Sequence, residues 1–177
     1  MNIAEVLSGA DVRQEIFCEE PKTELIGGVL VMAPSPRPIH SRNSISIIMV
    51  FENYLRNKVC KLYSEIDVHL TENDVYRPDI MIVCDPAKVK DDGIYGAPDL
   101  VVEILSPSTE KYDRGGKMEV YGQCGVREYW LVDAEKLSVE VYLQADNHRS
   151  LNLHNIYAIG SQAQFKTSLF DDLLICL

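Results

Sequence analysis

Asp79 is the first residue whose type and position could support chemistry. It follows Arg77 and Pro78 and opens the apolar run DIMIVCD, residues 79–85. A carboxylate at the point where a turn becomes a strand can face a groove at the edge of a sheet, where a ligand could reach it. Pro-Asp pairs also simply end turns, so the motif taken alone leaves both a site and a structural turn open.

Glu103 is a second carboxylate, and it lies inside the apolar run VVEIL. The alternation of side chains along a strand places Asp99, Val101, Glu103 and Leu105 on one face. Burying an unpaired carboxylate is very costly, so Glu103 needs a cation, a metal ion or a proton beside it. The sequence therefore indicates either a metal site or a salt bridge to a core arginine or lysine.

Lys117 belongs to the segment that follows this strand. Asp113, Lys117, Tyr121 and Cys124 are spaced i, i+4, i+8 and i+11, so a helix would carry them on one face. Tyr121 and Cys124 mark that face as the inward one, which predicts that Lys117 points toward the sheet. The alternative is a lysine whose stem packs on the protein while its ammonium stays in water.

Two carboxylates and a lysine could together act on a phosphodiester. Hard oxygen ligands suit Mg²⁺ or Mn²⁺, and such an ion polarises a phosphoryl oxygen and lowers the pKa of a bound water. The lysine could orient that water or stabilise charge on the phosphate. We therefore predict Asp79 and Glu103 as metal ligands, with Lys117 as the third catalytic residue.

Three further residues are secondary candidates for the same site. Asp113 and Tyr121 share the helix face of Lys117. His40 lies near the start of another predicted helix, where it could reach the site or contact a phosphate. An exposed histidine at the helix cap is the alternative.

The elements that must position these residues follow from periodicity and turn signals. A short helical or irregular piece is expected around residues 3–8, and a hairpin over residues 22–33 turns at Gly27-Gly28. The other predicted elements are a helix over 39–57, strands at 60–64, 66–70, 79–85, 99–105, 127–133 and 138–144, a helix from Ser108 or Thr109 to about Cys124, and one or two strands in the tail. This order predicts an α+β fold, a mixed sheet flanked by helices, rather than a doubly wound α/β fold.

The length, charge and hydrophobic pattern of the chain restrict its domain count and its possible partners. A chain of 177 residues fits one domain, residues 1–177. The 17 basic and 27 acidic residues give a net charge of −10, which opposes nucleic-acid binding unless a local basic face or a bridging metal ion overrides it. No run of about 18 apolar residues exists to span a membrane, and the N-terminus lacks the pattern of a secretory signal.

The cysteines indicate a compartment. Their number is odd, their spacings are wide and no C-x-x-C pair occurs, which argues against a zinc site and a disulfide framework. We therefore expect reduced thiols in the cytoplasm. The five positions are Cys18, Cys60, Cys84, Cys124 and Cys176.

The central part of the chain resembles a known family. The runs RPDIMIV, APDLVVEILSPST and GVREYWLVD, with Asp113, Lys117 and Tyr121 between them, look like the Uma-type family of restriction endonucleases, formerly a domain of unknown function, in the PD-(D/E)xK nuclease superfamily. The resemblance extends to the ELIGGVLVMAP hairpin and the helix beginning near His40, and so covers nearly the whole chain. It implies a restriction-endonuclease-like fold with a central mixed sheet flanked by helices, and hydrolysis of phosphodiester bonds, of DNA, with Mg²⁺ or Mn²⁺.

The resemblance also assigns residues. Asp79 matches the aspartate of the motif and Glu103 its second acidic residue. The motif has a lysine two residues after the second acid, where this chain has Leu105. Lys117 would then supply the ammonium from the helix.

Three interpretations remain at this point. The chain is a divalent-metal nuclease, a non-catalytic relative that keeps the nuclease fold for binding or dimerisation, or an unrelated structural protein with a salt-bridged polar core. We also expect a twofold homodimer, because cutting both strands of a duplex needs two active sites and twofold dimers are the commonest soluble oligomers. The apolar VLVMAP and LLICL segments could form its interface or could pack into the core of the monomer.

Overall fold

The computed structural model describes residues 22–32, 35–145, 149–160 and 164–176. The piece expected around residues 3–8 lies outside them. The helices are α1 (Pro38–Leu55), α2 (Glu110–Asp113) and α3 (Gly116–Cys124). The strands are β1 (Thr23–Ile26), β2 (Val29–Met32), β3 (Lys61–Tyr63), β4 (Val68–Thr71), β5 (Asp74–Tyr76), β6 (Ile80–Val83), β7 (Val89–Lys90), β8 (Gly93–Tyr95), β9 (Leu100–Ile104), β10 (Glu128–Asp133), β11 (Ser138–Gln144), β12 (Leu151–Ala158), β13 (Phe165–Lys166) and β14 (Leu174–Ile175).

The central sheet has six strands in the order β12-β11-β10-β9-β6-β3. Strands β9 and β10 run parallel, and every other neighbouring pair is antiparallel. The short crossover through α2 and α3 is what a parallel pair requires, because the chain must return to the same end of the sheet. The fold is therefore α+β with a mixed sheet, and the predicted fold class is confirmed.

Helix α1 covers one face of the central sheet. Its inward stripe consists of Ile47, Phe51 and Leu55, which are almost fully buried, as the 3.6-residue periodicity predicts. Phe51 packs its ring against Trp130 of β10. Among the helices of the described ranges, none is both long and apolar enough to cross a membrane.

The opposite face of the central sheet packs against α3 and a second sheet. Val101 of β9, Leu105, which follows β9, and Tyr121 of α3 belong to the same buried apolar cluster. Strand alternation explains this division, because Leu100 and Val102 belong to the cluster under α1 instead. Both faces are buried, which accounts for the nearly continuous apolar run of β9.

The second sheet contains the hairpin and three strands that the sequence does not reveal. Its order is β2-β1-β5-β4-β8-β7, and the hairpin turns at Gly27-Gly28 as predicted. Strand β5 lies between the strands predicted at 66–70 and 79–85, and β7 and β8 lie between those predicted at 79–85 and 99–105, where no element was predicted. These strands are only two or three residues long, and their pairing with distant segments, such as Leu25 of β1 with Val75 of β5, leaves no periodic signal.

The helix expected from Ser108 or Thr109 to about Cys124 is interrupted. Gly115 separates α2 from α3. A Cβ added at Gly115 would lie 2.8 Å from the carbonyl oxygen of Lys111. The close approach of these two backbone segments is therefore compatible only with glycine.

One expectation about the cysteines is wrong. Cys60 and Cys84 form a disulfide between the residue before β3 and the residue after β6. The antiparallel register of β3 on β6 sets the two residues opposite each other, which their separation in sequence conceals. Cys124 and Cys176 are free thiols, and Cys18 lies outside the described residues.

Candidate functional site

Five of the six predicted site residues lie around one open cleft with a volume of about 930 Å³, and Tyr121 does not line it. The N-terminal half of α1, the segment around Asp79 and the loop after β9 form its walls. His40, Asp79, Glu103, Asp113 and Lys117 all line it. The structure thus brings together residues that are up to 77 positions apart, from 40 to 117, in the sequence.

Asp79 and Glu103 meet because of the sheet register. Strands β6 and β9 are antiparallel with Ile80 opposite Val102, so the next position places Asp79 opposite Glu103. Directly opposed residues in an antiparallel pair project from the same face. The Asp79 N–H lies 3.4 Å from Glu103 Oε2 and donates to it, and both carboxylates are almost completely buried.

Lys117 reaches the same point from the first turn of α3. Its ammonium lies 2.9 Å from Glu103 Oε1, 3.2 Å from Asp113 Oδ1 and 3.0 Å from Glu24 Oε1. Lys117 is only 3% exposed, so the alternative of an ammonium in water does not apply. Burial lowers the pKa of Lys117, but Glu103, Asp113 and Glu24 outweigh it and hold that pKa well above its ordinary value.

Asp79 is held by cations and by the backbone. Its Oδ2 accepts hydrogen bonds from Ile104 N–H at 2.7 Å and from His40 Nε2 at 3.1 Å, and its Oδ1 lies 3.6 Å from Lys22 Nζ. Burial disfavours the charged form, but the contacts of His40, Lys22 and Ile104 together lower the pKa of the Asp79 carboxyl. In turn, the hydrogen bond to Asp79 raises the pKa of His40. His40 is therefore an element of the cleft and not an exposed cap residue.

Glu103 is the group whose charge is hardest to maintain. Burial raises the pKa of Glu103 to about 8, with a further contribution from the negative charges of Asp113, Asp79 and Glu24, despite the opposing charge of Lys117. The Tyr121 hydroxyl donates a hydrogen bond to Glu103 Oε1 at 3.2 Å. The second carboxylate of the site thus has a lysine, a tyrosine and a backbone N–H as partners.

Leu105 occupies the position where the family motif has lysine. Its side chain is buried in the apolar cluster beside α3. Leu105 faces the same side of β9 as Glu103 but brings no charge to it. The ammonium beside Glu103 comes from Lys117, on a different element.

The donor set fits a magnesium-type ion. Asp79 and Glu103 offer oxygen atoms on the same side of two adjacent strands, facing the cleft. Mg²⁺ is commonly held by one or two carboxylates, with water and substrate oxygens completing its shell. Within the described ranges, no group of three or more His, Cys, Asp or Glu residues is arranged to hold an ion, so an ion at these two carboxylates would need further oxygen ligands from water or substrate.

Three charged residues of the site were not predicted from the sequence. Glu24 of β1 contacts Lys117, while Lys22 lies between Asp79 and Glu65, with its Nζ 2.8 Å from Glu65 Oε2. The only available signal for Glu24 is a charged residue within the short apolar strand TELI, where the structure buries it. All three depend on how the hairpin packs, which local sequence does not specify.

Comparisons with known proteins agree with this architecture. The Uma2 family, described as "Putative restriction endonuclease", matches residues 12–164. The uncharacterized protein slr1290 of Synechocystis sp. is 31% identical over 132 residues, which cover 73% of this chain and 70% of that protein. The uncharacterized protein sll1609 of the same organism is 22% identical over 151 residues, covering 82% and 85% respectively.

A solved structure has the same fold. The crystal structure of a protein from Anabaena variabilis, titled a putative nuclease belonging to DUF820, superimposes with a TM-score of 0.68 at 19% identity, and the match covers 90% of this chain and 88% of that chain. At this identity the likeness concerns the fold alone. The family match covers most of the sequence, and this chain therefore belongs to the Uma2 family.

Proposed function

We propose that this chain is a divalent-metal-dependent endonuclease that hydrolyses phosphodiester bonds of DNA. The observation that carries the proposal is the convergence of Asp79, Glu103 and Lys117 in one cleft, with both carboxylates opposed across β6 and β9. Membership of the Uma2 family, described as "Putative restriction endonuclease", supports the same reaction class.

The site residues have distinct roles in this proposal. Asp79 and Glu103 would hold Mg²⁺ or Mn²⁺, and the bound ion would polarise a phosphoryl oxygen and lower the pKa of a bound water. Lys117 would donate a charge-assisted hydrogen bond to the phosphate or to the attacking water. His40, in the first turn of α1, is half-buried and would orient Asp79 through their hydrogen bond.

The charge of the cleft supports a role for a cation. Four buried carboxylates, from Glu24, Asp79, Glu103 and Asp113, line the cleft, whereas Lys117 is the one buried ammonium among its described residues. A phosphodiester approaching this excess of negative charge would be repelled. A divalent ion bound at Asp79 and Glu103 would remove this repulsion locally. Nucleic-acid binding would then be compatible with the net charge of −10.

A cleavage assay tests the proposal. Purified wild type, Asp79→Asn and Glu103→Gln are incubated with single- and double-stranded DNA and RNA in Mg²⁺, in Mn²⁺ and in a chelator. Wild type should cleave DNA only with a divalent ion, and both variants should lose activity by about two orders of magnitude or more because each loses a ligand. Glu119→Gln, which changes an exposed carboxylate on α3, should behave as wild type.

The competing interpretation is a non-catalytic nuclease fold that binds or dimerises. Leu105 at the position of the motif lysine, and the pairing of both site carboxylates with protein cations, favour it. A wild type that binds duplex DNA but cleaves no substrate with either ion would establish this interpretation. Cleavage that persists unchanged in Glu103→Gln would exclude the proposed site.

A further inference from the structure

The ammonium of Lys117 contacts three carboxylates, although one would neutralise its charge. A lysine ammonium carries three N–H donors, and here three carboxylates, from Glu24, Glu103 and Asp113, lie within 3.2 Å of it. Two of them come from the elements that Lys117 packs against, namely β9 and the end of α2. Glu24 instead comes from β1, in the second sheet.

Glu24 also connects this ammonium to the segment that carries Asp79. Its Oε1, which contacts Lys117, accepts a hydrogen bond of 2.7 Å from the backbone N–H of Arg77, two residues before Asp79. Glu24 is only 6% exposed. One buried carboxylate oxygen therefore contacts the lysine and the chain that enters β6.

We propose that Glu24 is a positioning residue, which keeps the Lys117 ammonium in place when Glu103 binds a divalent cation. This inference rests on the proposed function. With Glu24 and Asp113 as partners, Lys117 retains two of its three ion pairs after Glu103 has turned its charge toward the cation. Its ammonium then stays beside the site, available to a phosphate or a water molecule.

Without the charge of Glu24, the same lysine would be balanced differently. Among the described residues, Asp113 would be the only other anion in contact with Lys117, and Glu103 would become its principal partner. Lys117 and the incoming cation would then compete for one carboxylate. Glu24 removes that competition, because it offers the ammonium an alternative anion that the cation does not need.

The charge of Glu24 can be separated from its role in folding. The hydrogen bond to Arg77 N–H needs only an acceptor oxygen, and the side-chain amide of glutamine provides one. Glu24→Gln therefore keeps the anchor of β1 and removes the charge facing Lys117. Asp74 is a matched control, since it is a buried carboxylate that anchors the same hairpin through Gly27 N–H and contacts the hydroxyls of Thr71 and Tyr76 instead.

The first measurement needs neither metal nor substrate. In protein labelled with ¹⁵N-lysine, the buried Lys117 ammonium should give a slowly exchanging N–H signal, assigned by its loss in Lys117→Arg. Glu24→Gln should shift this signal and accelerate its exchange, Glu24→Asp should do so to a smaller degree, and Asp74→Asn should leave it unchanged. An unaltered signal in Glu24→Gln would overturn the proposal, and Glu24→Asp carries the test if Glu24→Gln does not fold.

The second measurement concerns the cation and the reaction. Glu24→Gln should weaken Mn²⁺ binding by about fivefold or more, which is the lower range of couplings between two sites. It should also lower kcat by about tenfold and leave KM within about twofold, since the lost contact acts in the transition state. Glu24→Asp should recover part of both losses. Unchanged Mn²⁺ affinity and kcat would refute the positioning role. If the wild type cleaves no substrate while the Glu24 variants still change the Lys117 signal and the Mn²⁺ affinity as expected, only the nuclease proposal is refuted.

Discussion

At the scale of single residues, the cleft contains an arrangement that would be unfavourable in an ordinary core. Lys117 is surrounded by Glu24, Glu103 and Asp113, all removed from water. A buried ion pair seldom stabilises a protein relative to apolar side chains of the same size, while loss of one partner is strongly destabilising. Because one ammonium serves three carboxylates, Lys117 is the residue on which the cluster depends most.

Replacement of Lys117 tests this dependence. Lys117→Met leaves three buried carboxylates without their shared cation, and we expect the free energy of unfolding at pH 7 to fall by about 3–5 kcal/mol. The loss should be larger at pH 9, because Glu103, whose pKa burial raises to about 8, has then given up its proton and depends on the counter-cation. Urea denaturation at two pH values measures both effects.

The control for this variant is Lys111→Met, which changes an exposed lysine of α2. Its unfolding free energy should stay within about 0.5 kcal/mol of wild type. If Lys117→Met cost no more than Lys111→Met, the lysine would not be the counter-cation of the buried cluster.

The sequence predicts part of this site, and the limit has a physical cause. Asp79 and Glu103 can be found because strand alternation acts over a few residues, and Lys117 because helical spacing does. Glu24 cannot be found in this way. Its burial against Lys117 requires β1 to pair with β5, and that pairing joins segments about 50 residues apart.

At the scale of elements, the interruption between α2 and α3 determines where the backbone of Lys117 lies relative to the site. Gly115 lies between the helices, and its backbone passes so close to Lys111 that a Cβ would be 2.8 Å from the carbonyl oxygen. Lys117 follows two residues later, in the first turn of α3. The path of the chain at Gly115 therefore sets the direction of the lysine side chain.

Two adjacent glycines provide a matched test of this element. Gly115→Ala should lower the free energy of unfolding by about 1–3 kcal/mol, because the added methyl overlaps backbone that cannot move freely. Gly116→Ala meets no atom within 4 Å and should be neutral or stabilise the fold by up to about 1 kcal/mol. Thermal and urea unfolding of both variants, together with Mn²⁺ binding, compare them. Equal stability of the two variants would show that Gly115 imposes no constraint.

Element prediction from the sequence succeeds for segments with an apolar pattern, including the short strands β3, β4 and β6, and fails for short strands that lack one. Helix α1 and strands β9, β10 and β11 agree with their predicted ranges to within a few residues, because each carries a periodic apolar pattern. Strands β5, β7 and β8 have two or three residues and no such pattern. The Cys60–Cys84 disulfide escapes prediction for a related reason, since it depends on the register of β3 against β6.

At the scale of the whole molecule, the two apolar segments proposed for an interface have different environments. In the C-terminal LLICL segment, Leu173 and Ile175 pack into the core beneath α1, so this segment chiefly completes the monomer. In the hairpin, Val29, Leu30 and Met32 are exposed by 62%, 72% and 70%. Strand β2 has β1 as its only neighbour within the described residues, so its outer edge is unpaired there. The side chains of β2, with the sequence VLVM, are all apolar and uncharged.

This edge leads to a prediction about assembly. Unprotected apolar edge strands pair readily with other strands, and we expect two chains to join β2 to β2 in an antiparallel, twofold dimer that also supplies the two active sites needed to cut a duplex. Each apolar side chain buried there contributes about 1.5–3 kcal/mol, while repulsion between two chains of charge −10 is largely screened at about 0.15 M salt.

Light scattering at micromolar concentration should therefore give twice the 20.0 kDa of one chain. Leu30→Lys should give monomers, whereas Leu153→Lys, which places the same charge on the exposed edge strand β12 of the other sheet, should remain dimeric. A wild type of 20.0 kDa under these conditions would exclude the dimer, and a dimer that survives Leu30→Lys would place its interface away from β2.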